Sequence, residues 1–111
     1  MDVLTPDQVA REILRISQEA AKAPEAIYAA ESKLAELERD FERTLQLAFM
    51  NAQGTVADRT ALSRYEAADA RFQADLARAE LNRIKAKAKQ LSEAGILMAT
   101  IAKTVDLTYR S

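Results

Sequence analysis

At 111 residues the chain is one domain or one protomer of an assembly, and it contains neither His nor Cys. The usual general bases, nucleophile pairs and soft metal ligands are therefore missing, and with them disulfides: no enzyme, no metal site and no cofactor is expected. The net charge of −1 carries no global basic footprint. Residues 96–102, the longest apolar run, are broken by Thr100 and too short to span a bilayer, and Met1–Gln8 does not read as a signal peptide. No membrane partner and a cytoplasmic location are expected.

Ala dominates the apolar fraction, 30% of residues are charged, and there are only two Gly and two Pro. That is the profile of a coiled coil, in which Ala favours helix but buries little surface. The fold class is read as all-α: a long antiparallel helical hairpin, a single domain over residues 1–111, expected to self-associate into a bundle because a two-helix layer is thin.

Arm one is placed at residues 6–51. Thr5-Pro6-Asp7-Gln8 has the form of a helix start, with Thr5 as cap, Pro6 at the first helical position and Gln8 completing a capping box. Val9, Ile13, Ile16 and Ala20 mark one face. Pro24 then kinks or breaks the arm and pushes Ala23 out of the helical region. Ile27, Leu34, Leu37, Phe41, Leu45 and Ala48 resume the apolar stripe.

The turn is placed at residues 51–55. Gly54 stops the first helix in a left-handed conformation, and Thr55 with Asp58 caps the next. Arm two, residues 55–108, carries Leu62, Tyr65, Phe72, Leu76, Leu81, Ile84, Ala88, Leu91, Met98, Ile101 and Val105, with the register slipping once between Leu76 and Leu81. Leu34, Leu37, Phe41, Tyr65, Phe72 and Leu76 are assigned to the seam. Gly95 weakens this helix by about 1 kcal/mol relative to Ala. A short connection between matched arms makes them antiparallel neighbours.

Counting outward from the turn sets Val9 near Ile96, Ile16 near Lys89, and Leu34 near Ala70 and Ala74. Residues beyond about Thr100 then lack a partner in arm one. Ile96, Leu97, Met98, Ile101, Val105 and Leu107 become the candidate oligomer or partner contact. The alternative is that the N-terminal segment folds back at Pro24 and covers them.

The second candidate is basic. Arg78, Arg83, Lys85, Lys87 and Lys89 fall within twelve residues, opposed locally by Glu80, and Arg78, Asn82, Lys85 and Lys89 follow one helical stripe. Such a cluster suits several phosphates or an acidic partner. A lysine-rich helix face kept for solubility, or one that meets an acidic partner, explains the cluster more simply than nucleic acid does, and no aromatic residue interleaves with it to stack on bases.

The opening Gln8-Val9-Ala10-Arg11-Glu12-Ile13, the arm end Ala48-Phe49-Met50-Asn51-Ala52-Gln53-Gly54-Thr55-Val56-Ala57-Asp58-Arg59, and the segment from Leu81-Asn82-Arg83-Ile84-Lys85 to Leu91 span most of the chain. Together they resemble small coiled-coil accessory proteins of tailed bacteriophages, particularly of actinobacteria, whose genes lie among early replication and recombination functions. The resemblance implies an accessory protein with no catalytic residues to carry across; taken with the basic stripe, it leads to the expectation of a protein in the host cytoplasm that binds DNA or a replication or recombination protein. A structural or chaperone-like hairpin, or an inhibitor, using the apolar open end stays open beside it.

Overall fold

The computed structural model describes residues 4–110. It is all-α, a helical hairpin, and its described residues form four helices: α1 (Pro6–Ala21), α2 (Ala23–Asn51), α3 (Val56–Glu66) and α4 (Ala68–Arg110). They pack as two compact units, one of residues 4–26 with 84–110 and one of Ile27–Arg83.

Both expected helix starts are in place. Thr5 Oγ1 accepts from Gln8 N–H at 3.3 Å while Gln8 Oε1 accepts from Thr5 N–H at 2.9 Å. Thr55 Oγ1 accepts from Asp58 N–H at 3.1 Å, and Asp58 Oδ2 from Thr55 N–H at 3.3 Å. Gly54 takes φ +110°, where an L side chain would be strained. The proline break is one residue long and falls at Lys22. Pro24 has no N–H for the carbonyl of Ala20, so Lys22 N–H turns back to Glu19 O at 3.2 Å and the helix restarts at once. Ala23, expected outside the helical region, is the first residue of α2.

In the Ile27–Arg83 unit, α2 runs to the turn and α3 with the first part of α4 returns beside it. Here the expected seam needs correction. On α2, Leu34, Leu37, Phe41 and Leu45 are half-buried as expected. On the returning arm, Leu62, Tyr65, Phe72 and Leu76 are exposed, and Ser63, Ala67, Ala74, Ala77 and Leu81 are buried instead. Leu37 and Leu76 line one groove with Ala77, and Phe41 lines another with Ala74.

The reason is phase. From Ser63 the non-exposed positions of this unit run Ala67, Ala70, Ala74, Ala77 and Leu81, alternating steps of four and three; in the other unit the half-buried positions of α4 are Ile84, Ala88, Leu91, Ala94, Gly95, Met98, Ile101, Ala102 and Val105. Leu81, Ile84 and Leu91 lie on this heptad. Tyr65, Phe72 and Leu76 lie on another, whose continuation meets Arg83 and Gln90. Within this unit the small-residue stripe, which shares its phase with Leu81, is the one turned inward. A single interruption occurs at Ala67, which is fully buried, and Ala67 N–H and O still bond to Ser63 O and Arg71 N.

In the other unit α1 lies antiparallel to the later part of α4. Ile16 meets Gly95, not Lys89: its Cγ2 is 3.8 Å from where a Cβ on Gly95 would sit. Pro6, Val9, Ala10 and Ile13 share a groove with Ala102, Val105 and Asp106. The residues beyond Thr100 thus have partners in α1, contrary to the expected register. Interlocking side chains set the pairing, and symmetric counting from the turn does not. Gly95 lies within α4.

Candidate binding surfaces

Of the basic cluster, Arg78 and Arg83 belong to the Ile27–Arg83 unit and are both held by carboxylates. Arg78 pairs with Glu38 on α2 and, at 3.3 Å, with Asp75. Arg83 binds Glu80 through two nitrogens, at 3.0 and 2.6 Å. That contact holds the Glu80 carboxyl below its usual range and lifts the guanidinium above its own.

Lys85, Lys87 and Lys89 belong to the other unit. All three are exposed, and among the described residues none has a carboxylate within 4.0 Å. They do not form one row. At 100° per residue, Lys85 and Lys87 fall on opposite sides of the inward stripe of Ile84, Ala88 and Leu91. Lys87 is on the side of Glu19, whose carboxyl is lowered first by the hydrogen bond and charge of Lys22 and further by Lys87.

The apolar candidates divide too. Met98, Ile101 and Val105 are half-buried, with Val105 in the groove against α1. Ile96 and Leu97 are 68% and 60% exposed, on the side of α4 turned away from α1, and Leu107 is 66% exposed. Thr100, Thr104 and Thr108 donate to the carbonyls of Ile96, Thr100 and Thr104, so these hydroxyls are satisfied within the helix.

Two features of the surface escape a reading of the periodicity. One is the outer row Leu62, Tyr65, Phe72 and Leu76, which that reading sends inward. The other is Arg59, whose side chain closes the turn. It lies over the Phe49 ring, 4.3 Å from the centroid, and donates to the Phe49 carbonyl. Leu45, Phe49, Met50, Ser63 and Arg64 line a groove beside it.

Among the described residues no three acidic side chains come close enough together to hold a metal ion, and no helix is long and apolar enough to cross a membrane. The chain matches no protein-family model, no curated protein and no solved structure.

Proposed function

We propose that this chain is a non-catalytic accessory protein, of the phage type its sequence resembles, that acts by binding in the host cytoplasm. Its ligand is DNA or an acidic surface of a replication or recombination protein. One observation supports this reading: Lys85 and Lys89, on one side of α4, and Lys87, on the other, are exposed and have no ion-pair partner among the described residues, while Arg78 and Arg83 are each paired with a solvent-exposed carboxylate. The lysines are therefore the charges most readily available to an incoming anion, and the two arginines reach it only by exchanging exposed, weak ion pairs. Contacts of this kind release counterions, so binding should weaken steeply with salt.

A second reading is favoured by Ile96 and Leu97, which present two large apolar side chains to solvent beside half-buried neighbours. They suit a structural, chaperone-like or inhibitory hairpin that grips a protein partner. Self-association accompanies either reading.

The test is a titration of the full chain with labelled single- and double-stranded DNA at low and physiological salt, repeated with Lys85→Glu/Lys89→Glu. Salt-sensitive binding lost in the variant, with helicity kept, supports the first reading. Absence of binding at low salt removes DNA as the ligand. A protein partner captured by the wild type and lost with Ile96→Glu/Leu97→Glu supports the second.

A further inference from the structure

The Ile27–Arg83 unit has an unusually poor interior. Its buried residues are Ala48, Ser63, Ala67, Ala74, Ala77 and Leu81, so Leu81 is the one large side chain among them. Alanine methyls bury little area, and the half-buried Leu34, Leu37, Phe41 and Leu45 of α2 complete only a thin layer, of the kind that a disulfide, a metal or a second subunit commonly reinforces. The chain has no Cys, and its described residues offer no metal-binding group.

Meanwhile the large apolar residues of α3 and α4 point outward: Leu62 is 43% exposed, Tyr65 80%, Phe72 59% and Leu76 50%. With Asp69 they follow the three-and-four spacing of a coiled-coil seam, turned away from the alanine stripe except where Leu76 borders the groove against Leu37 of α2. The small residues Ala61, Ala68 and Ala79 flank them. The four side chains present about 500 Å² of mostly apolar area. With their flanks they approach the roughly 800 Å² per partner of a standard interface.

We infer that Leu62, Tyr65, Phe72 and Leu76 form the face through which two copies of this chain pair. A second copy supplies what the unit lacks, a helix with a matching heptad stripe, and it is present wherever the chain is made. Two-fold pairing is self-complementary. Asp69 divides the row into Leu62–Tyr65 and Phe72–Leu76, and an antiparallel arrangement sets each half on the other half of the partner. This rests on the self-association read above and goes further by naming the surface.

The experiment is sedimentation equilibrium and concentration-dependent thermal unfolding of the full chain, wild type against Tyr65→Ser/Phe72→Ser. The expected result is a dimer at micromolar concentration whose midpoint rises with concentration. The double variant should raise the dissociation constant more than tenfold while the helical signal at high concentration is retained. A nitroxide on Asp69→Cys, in an otherwise wild-type face, should show strong coupling between copies. That readout stands even if the double variant fails to fold. A wild-type monomer at all concentrations overturns both the face and self-association. An oligomer with no coupling at position 69, or one indifferent to the double variant, overturns the face and leaves self-association standing. A monomer whose partner protein is lost in the double variant assigns the face to that partner instead.

Discussion

The guanidinium of Arg59 donates from Nε and Nη2 to the carbonyl oxygen of Phe49, at 3.2 and 3.1 Å, and lies across the Phe49 ring. One side chain from the first turn of α3 thereby caps the last turn of α2, whose carbonyls have no helical partner of their own. It ties the two helices together across the Gly54 turn. Arg59→Ala should cost about 1–2 kcal/mol, from a charged hydrogen bond and a partly exposed cation–π contact. Arg59→Lys should recover only part of that, because an ammonium cannot bond in a fork and stack at once. Urea denaturation of the three proteins decides it; equal midpoints would mean the contact is idle.

The two glycines should respond to Ala in opposite directions. At Gly54 a Cβ would sit 3.0 Å from Asp58 Oδ2 on a backbone with φ +110°, so Gly54→Ala should destabilise by about 1–2 kcal/mol. At Gly95 the nearest atom is Ile16 Cγ2 at an ordinary contact distance, so Gly95→Ala should stabilise by about 1 kcal/mol through helix propensity. Thermal midpoints that move the same way in both variants would refute this account.

Thr5 and Thr55 each accept a backbone N–H and stand opposite a side chain that returns the bond. Thr5→Ala and Thr55→Ala should each cost about 1 kcal/mol. The sites belong to different units, so the double variant should show the sum within about 0.5 kcal/mol. Chemical denaturation of the single and double variants checks both claims.

Packing offers a direct test of which stripe faces inward. Ala67→Leu puts extra methylenes into a site with no exposure and should destabilise by about 1–3 kcal/mol. Leu81→Ala removes the largest buried side chain of its unit and should cost about 2–5 kcal/mol. If the outer row were the seam, Ala67→Leu would be neutral or stabilising.

Glu12, Glu19 and Glu80 have carboxyls held below the ordinary range, chiefly by hydrogen bonds from Arg15, Lys22 and Arg83. A folded-state value lowered in this way contributes stability above the unfolded carboxylate's value. That contribution disappears as pH falls through the folded value. The pairs are open to solvent, so the effect is small and screened by salt. The Glu12→Gln/Glu19→Gln/Glu80→Gln variant should lose less stability than wild type on acidification at low salt. At high salt the two should converge; an unchanged acid response at low salt would contradict the assignment.

Local chemistry determined much of this protein from sequence. Thr5 with Gln8 and Thr55 with Asp58 start helices, Gly54 ends one, and Pro24 interrupts one. Each acts through backbone groups within a few residues, so no distant part of the chain is needed to see it. Apolar periodicity likewise identified the inward side of α2, where Leu34, Leu37 and Phe41 lie on the only strong stripe. The face of the returning arm was a tertiary decision. Tyr65 and Phe72 are the larger side chains, and hydrophobicity alone ranks them above Ala67, Ala70 and Ala74. The alanines, however, share their phase with Leu81, the largest buried side chain of the unit. That phase turns the small residues of the Ile27–Arg83 unit inward and leaves the aromatic ones outside; in the other unit the packing of α1 on α4 sets Ile16 against Gly95. The pairing of Arg78 with Glu38, which occupies one of the apparent binding charges, follows from the same packing between arms far apart in sequence.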